Sequence, residues 1–580
     1  MATVTGGGLI ASMLAAEGVD KAFGITDGTY LGLCRGMVEQ GIHLVTPRHE
    51  STAAHMAGAY ARLTGRLGVA IASNGPGVAN VLPGVAVENG EGNRVLLVTS
   101  SRRTGITYPD RGGTYQYFDH VAAIRPIAKW SESAPSFERI PELLRRALRK
   151  AYEGRPGVVH LDVPENIMNG KFKPVELLAP HQYRSTVPLE PSPAAIGRAA
   201  QMLTGAAVPA IHAGGGVIHA QCFEELARAA ELLHAPVTTS WSARGALTET
   251  HPLAWPMHLI EPNNQVRTTA DVVLVLGSRL GETDWWGKPP NWASPQDQKI
   301  IRVDVDPETL GLNRAAHLTV QADAGRFLEA LADQLEGATV PPSRKETVGQ
   351  LARDRDHEQN KVAKKLEDRS VPMVTAHVAD VCRRVFDDEA ILVLDGGNTA
   401  VWGNFFHRVV TPNTLLSTPH FGMLGAGVGQ ALGAAVARPN AQVYCIIGDG
   451  AFGFHPQEIE TAVRNGLKVV FLVVTDKQWG MVKMTQSIAS RPVKMVLRKS
   501  LEPDETINAD LGEIAYDRLA EAMGAHGERV SDPADLQAAI EKCLASGGCS
   551  VIHVDVDPVK HMWAPGLQSF KRMHQEPEGK

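Results

Sequence analysis

One stretch, Val443 to Val482, constrains this chain more than any other. It opens with the apolar run Val443-Tyr444-Cys445-Ile446-Ile447 and breaks at Gly448-Asp449-Gly450. A helical pattern follows, then a second apolar run, Val469 to Val474, that ends in Thr475-Asp476-Lys477-Gln478. This reads as strand, glycine turn, helix and strand, with polar groups at the carboxyl ends of both strands. In a parallel sheet those ends lie side by side and form the crevice where ligands bind. Asp449 and Asp476 stand 27 residues apart, room for one crossover helix, so both carboxylates can grip one cation. Gly448 and Gly450 leave backbone N–H groups bare for a phosphate. Mg²⁺ takes oxygen ligands and keeps phosphate oxygens among them. The local reading is a magnesium diphosphate site, although a G-D-G triplet on its own is an ordinary turn.

At 580 residues the chain is too long for one core, and its length suggests about three or four domains. Hydrophobic residues at 44% and charged residues at 21% describe a soluble globular protein. A net charge of −6 argues against a nucleic-acid or membrane-surface role. The six cysteines are scattered without a C-x-x-C pair, which favours buried free thiols in a reducing cytoplasm. The N-terminus lacks a signal-peptide pattern, and no apolar stretch is long enough to span a bilayer. The expected location is cytoplasmic.

Helices alternate with short apolar strands throughout, an α/β pattern. The first domain covers 1–175. In it Lys21 to Ile25 and His43-Leu44-Val45 read as strands, and Asp27 as a helix cap no less than a catalytic group. Pro47-Arg48-His49-Glu50 precedes a helix of small residues, Ala53 to Ala61, which lets another backbone pack closely. A glutamate pointing into such packing needs a partner. The central domain spans 190–340, with strands at Ala210 to Ala213, Asp271 to Gly277 and Lys299 to Val305, and a helix from Phe223 to Leu233. Its Gly214-Gly215-Gly216 turn lacks G-x-G-x-x-G spacing, so a nicotinamide-linked oxidoreductase is a poor reading. A charged connector, 341–370, reads as a solvated surface helix without chemistry. The third domain, 371–558, opens with a strand, Ala390 to Leu394, that ends at Asp395-Gly396-Gly397-Asn398-Thr399. The tail, 559–580, reads as a lid or a disordered end.

The G-D-G start and the Thr475-Asp476 end resemble the thiamine diphosphate motif, which closes in two asparagines; Asp476 replaces the second, the metal ligand. Arg48-His49-Glu50 with its small-residue helix, the run Ala70 to Asn80, the run Gly154 to Pro164 and the block Asp395 to Val482 resemble the acetolactate synthase group over nearly the whole chain. The resemblance implies three doubly wound parallel-sheet domains: pyrimidine-binding, central and diphosphate-binding. It implies thiamine diphosphate and Mg²⁺, with Asp449, Asp476 and the carbonyl of Gln478 on the metal. Gly397, Asn398, Thr399, Gly448, Gly450 and Ala451 would contact the diphosphate. Glu50 would hold the pyrimidine ring nitrogen, Gly422 would accept from its amine, and Leu424 would wedge the cofactor's rings together, though a plain core leucine is the bland alternative. Gln116 and Trp479 would face the substrate. The cofactor would lie between the first domain of one subunit and the third of another, in a homodimer or homotetramer.

The implied activity is that of a lyase or transferase, decarboxylating a 2-oxo acid of the pyruvate kind and ligating the product to a second carbonyl. A 2-hydroxyacyl-CoA lyase or oxalyl-CoA decarboxylase-like enzyme is the alternative, to which Gly287-Lys288-Pro289-Pro290 and Tyr516 to Ala522 are similar. Gly277-Ser278-Arg279-Leu280-Gly281-Glu282 departs from the R-F-D-D-R run of flavin-binding synthases, which argues against FAD while leaving it open. A non-catalytic relative is a further reading, against which the intact Glu50, Asp449 and Leu424 speak.

Overall fold

In a computed structural model, residues 3–107, 110, 112–499 and 501–567 are described. The class is α/β: three six-stranded sheets succeed one another along the chain, and their strands pair in parallel. The first runs His43–Val45, Lys21–Gly24, Gly68–Ala72, Val95–Ser101, Val158–Pro164, Trp130–Ser133, an order of 2-1-3-4-6-5 by position in the chain. The third, built from six strands between Ile391 and Asp555, repeats that order. The central sheet follows 3-2-1-4-5-6 instead. Strands such as Val272–Leu276 and Val470–Thr475 are buried at every position, because helices cover both faces, and so they read as unbroken apolar runs. The helix Phe223–Leu233 and the strand His43–Val45 fall where expected, and the strand after the connector is shifted by one residue to Ile391–Asp395.

The chain divides into two compact units. One comprises Met1–Val187, Gly425–Asn440 and His455–Leu467. In it the small-residue helix Glu50–Thr64 packs against the similarly small Ala426–Ala437 helix. A Cβ on Gly429 would stand 2.7 Å from the His55 Cβ, so glycine is what permits the approach. Beneath the first sheet lies a polar cluster. Asp162 accepts from Thr99 Oγ1 (2.8 Å) and Ser133 Oγ (3.0 Å) and faces His120 Nδ1 at 3.1 Å. Burial works to raise its pKa, but the hydrogen bond and charge of His120 outweigh it and hold the carboxyl below its usual range. His160 bridges Thr99 (2.7 Å) and Ser131 (2.8 Å), and burial pushes its pKa down to about 4.

That depression has a definite sign. Below the ordinary value of 6.5 the unfolded chain takes up a proton that folded His160 refuses until about pH 4, so stability falls as pH drops through this window. His160 alone is expected to cost about 2 kcal/mol between pH 7.5 and 5. Urea midpoints at the two pH values check it: His160→Gln should lose correspondingly less than the native chain, and an equal loss would contradict the assignment.

The second unit comprises Pro188–Leu424, Ala441–Phe454 and Lys468–Lys580. The connector forms the helix Pro342–Ala363, but it is clamped rather than loosely solvated. Arg344 is buried and donates to the carbonyls of Leu233, Thr204 and Ala206. Arg355 donates to those of Pro252 and Ala254 and lies 4.8 Å from the Trp255 ring. Val348 and Leu351 join the central core, while Val362 and Leu366 reach the cluster of Val401, Trp402 and Phe405. The tail, expected from 559 onward as a lid or a disordered end, is described to residue 567 and opens with the helix Pro558–Met562, whose His561 and Met562 are buried, so this part is no disordered end; the remainder lies outside the described residues. All six cysteines are free, five of them buried. Among the described residues no helix is long and apolar enough to cross a membrane.

Candidate active site

In the third sheet the strand order reverses between Ile391–Asp395 and Val443–Gly448, the topological switch point where α/β sheets open a binding crevice. Gly397, Asn398 and Thr399 follow the first of these strands in the helix Gly397–Phe406; Asp449, Gly450 and Ala451 follow the second. Asn398 is 4% exposed, yet neither its amide nitrogen nor its oxygen has a hydrogen-bond partner. A Cβ on Gly480 would stand 2.7 Å from that nitrogen and 3.1 Å from Asp476 Oδ2, so these groups share one small space. Trp479 lies against Gly450, where a Cβ would meet its ring at 2.7 Å, and Phe454 meets the same ring edge-on.

Asp449 and Asp476 are both buried. Asp449 Oδ1 accepts from Gly450 N (2.8 Å) and Oδ2 from Lys477 N (2.9 Å). Asp476 Oδ2 accepts from Gln478 Nε2 at 3.0 Å. Burial, with the neighbouring carboxylate adding to it at Asp449, pushes both acids well above the usual carboxylate range. Lys477 between them takes a left-handed φ of 58°, a conformation that non-glycine residues adopt at cost and mostly at functional turns. Among the described residues no group of three or more His, Cys, Asp and Glu side chains is poised for a metal. Two carboxylates alone leave Mg²⁺ short of ligands, which diphosphate oxygens would complete. Two adjacent acids whose ionised forms burial disfavours, beside an unpaired amide, are the groups a magnesium diphosphate would satisfy, so the residues fit the cofactor.

Other sequence-predicted residues fall as follows. Leu424 is half-buried, and Gly422, two residues before it, has φ 66°. Gln478's side chain is engaged, donating also to the Pro558 carbonyl at 2.8 Å. In the other unit Glu50 is the first residue of its helix, is 8% exposed, and its Oε2 accepts from Asn80 Nδ2 at 3.1 Å. That is the partner its burial requires. Gln116, itself at φ 56°, abuts the turn that opens the Asn80 helix: a Cβ on Gly75 would meet its carbonyl oxygen at 2.6 Å. Asp27 caps the turn after it, accepting from Thr29 N at 2.8 Å.

The site contacts of three residues around these groups escaped the sequence reading. Glu458, fully buried, accepts from Arg48 N through both oxygens (3.1 and 3.0 Å) and so fixes the turn that presents Glu50. Tyr516 donates to the Asp449 carbonyl at 3.2 Å. His561 reaches Thr375 Oγ1 at 2.6 Å and Thr399 Oγ1 at 3.4 Å, with Asp476 Oδ2 at 3.9 Å. Each pairs with a residue at least 67 positions away, and no local pattern marks it.

The central sheet is different. At its glycine turn Gly214 N donates to Leu276 O (2.8 Å) and Gly216 N to Gly277 O (3.0 Å). Two of the three N–H groups that would cradle a dinucleotide phosphate are therefore spent on the neighbouring strand end, and the turn does not fit one.

Residues 4–123 match the N-terminal TPP binding domain of the thiamine pyrophosphate enzymes, 196–331 their central domain and 395–554 their C-terminal TPP binding domain; TPP is thiamine diphosphate. Acetolactate synthase large subunit IlvG of Mycobacterium tuberculosis is 30% identical over 96% of this chain and 96% of its own length. A probable acetolactate synthase large subunit of Methanococcus aeolicus is 28% identical over 94% and 91%. Acetolactate synthase isozyme 3 large subunit of Escherichia coli is 27% identical over 97% and 96%. With all three domains matched in order, and relatives alike along nearly the whole of both chains, the chain belongs to the thiamine pyrophosphate enzymes and, within them, to the acetolactate synthase group.

Proposed function

We propose that this enzyme is a thiamine diphosphate- and Mg²⁺-dependent carboligase that decarboxylates a small 2-oxo acid of the pyruvate kind and joins the remaining fragment to a second carbonyl. The observation that carries the reading is the buried Asp449–Asp476 pair beside the unpaired Asn398 amide at the switch point. Asp449, Asp476 and the Gln478 carbonyl would hold Mg²⁺. Gly397, Asn398, Thr399, Gly448, Gly450 and Ala451 receive the diphosphate. The bound cofactor supplies the carbanion and the electron sink. Glu50, held by Asn80, hydrogen-bonds the pyrimidine nitrogen, and Gly422 accepts from the amine. Leu424 would stand against the bound cofactor and help to hold its rings together, a proximity effect. Gln116 and Trp479 face the substrate.

The choice of acceptor follows from Thr485. It is exposed, with its hydroxyl turned back onto the Met481 carbonyl at 2.9 Å, and it stands where acetolactate synthases carry a tryptophan that favours bulkier acceptors. That selection should be absent. The deciding assay offers pyruvate and, separately, a 2-hydroxyacyl-CoA, each with thiamine diphosphate and Mg²⁺. CO₂ release and a hydroxyketo acid from pyruvate are expected. Formyl-CoA and an aldehyde, with no turnover of pyruvate, would replace the reading with a 2-hydroxyacyl-CoA lyase.

The working form is a homodimer or homotetramer of closed symmetry, in which Glu50 of one subunit serves the diphosphate groups of another. The free thiols suit a cytoplasmic setting. Sedimentation at assay concentration should show no active monomer; a catalytically competent monomer would end the assembly proposal.

A further inference from the structure

Within the second unit, away from the switch point, the far end of the Gly397–Phe406 helix helps to line a small cavity of about 40 Å³. Its walls are Glu249, His258, Gln359, Phe405, Phe406, His407 and Arg408, with Pro256. His258 is 3% exposed, and neither of its ring nitrogens has a hydrogen-bond partner; its ring meets Phe405 edge-on. His407 pairs through Nε2 with Tyr444 Oη at 2.6 Å, leaving a buried Nδ1 without a partner. Buried polar groups in folded proteins nearly always find a partner, so two imidazoles with three unmatched nitrogens mark a place for an occupant.

The chemistry of the walls says which kind. The acceptors are already engaged: Glu249 Oε1 takes Arg244 Nε (2.6 Å), and its Oε2 takes Arg244 Nη2 (3.0 Å) and Val409 N (2.9 Å). The Glu249 carbonyl takes Arg408 Nε and Nη2, and the His407 carbonyl takes Arg244 Nη2. An ammonium group entering here would therefore meet no open carboxylate. What remains at the mouth is the donor capacity of the Arg408 guanidinium and the Gln359 amide, both exposed, and deeper in the neutral His258 ring against Phe405, with one N–H and one lone pair; the guanidinium's charge favours an anion and opposes a second cation. We propose that this cavity is a second ligand site, for a small monocarboxylate with a short apolar body and no amino group. The carboxylate accepts from Arg408 and His258, and the apolar part lies against Phe405 and Phe406. The helix that forms the wall begins with Gly397, Asn398 and Thr399, so an occupant here sits on the element that shapes the diphosphate site.

Propionate tests this, since it lacks the 2-oxo group and is not a substrate of the proposed reaction. Ligand-observed NMR on the full chain, with and without thiamine diphosphate and Mg²⁺, should show saturable binding of propionate and none of propylamine. Binding should weaken at least tenfold in His258→Phe and in Arg408→Gln, and persist in Glu50→Gln. Should His258→Phe fail to fold, Arg408→Gln at the exposed mouth carries the test. No saturable propionate binding by the native chain would mean that ordered water fills the cavity, and the proposal fails. Equal binding by the His258→Phe and native chains, or equal binding of propylamine, would overturn it too.

Discussion

Glu50→Gln is expected to slow proton exchange at the thiazolium carbon of bound thiamine diphosphate by about 10²–10⁴-fold, the scale of a lost general acid–base partner. Glutamine keeps the volume of the side chain and still offers an amide oxygen to Asn80 Nδ2, now 3.1 Å from Glu50 Oε2, so the helix start should survive. What it removes is the acidic proton shared with the pyrimidine nitrogen under the proposed role. Deuterium exchange followed by NMR after rapid acid quench reads the step directly, and circular dichroism and a urea midpoint check the fold. A variant that binds cofactor and exchanges at the native rate would remove Glu50 from the chemistry. Loss of exchange together with loss of fold would assign it to structure instead.

The second large effect is one of stability. Arg244 and Glu249 form a paired salt bridge with side chains 1% and 2% exposed. Breaking such a pair strands a charge out of water, and Glu249→Leu should destabilise the second unit by about 3–5 kcal/mol. Arg244 Nη1 also donates to Asn404 Oδ1 at 2.7 Å, and Nη2 to the His407 carbonyl, so the stranded guanidinium disturbs the helix that carries Asn398. Cofactor affinity should fall with stability. Replacing both partners, Arg244→Met with Glu249→Leu, should recover most of the loss, because an apolar pair of similar volume needs no desolvation of charge. Urea unfolding of the native chain, both singles and the double closes the cycle. A single variant within about 1 kcal/mol of the native chain would show that Arg244 is held by its remaining partners alone.

Much of the architecture was legible in order along the chain. Buried parallel strands must be apolar at every position, so runs such as Val272–Leu276 and Val443–Gly448 announced themselves, and the Gly and Asp residues that end them marked the polar strand ends. The helix Phe223–Leu233 showed its burial in its spacing. The connector shows the limit of such reading. Its charges suggested a solvated helix, and three kinds of contact clamp it: the Arg344 carbonyl bonds, the Arg355 stack and two core side chains, Val348 and Leu351. Charge in a sequence does not reveal whether a guanidinium will find backbone carbonyls.

The sequence by itself determined the α/β class, the positions of some of the strands, and Asp449 and Asp476 as neighbours across one crossover. These are local matters: side-chain spacing, turn residues and the length of a single βαβ unit. Only the tertiary structure decided the 2-1-3-4-6-5 strand order shared by the first and third sheets. It also brought the Ala426–Ala437 helix to the Glu50–Thr64 helix, Glu458 to Arg48, and His561 beside Thr399. Those contacts join residues more than 100 positions apart, and chain closure over such lengths depends on the whole core rather than on any local preference.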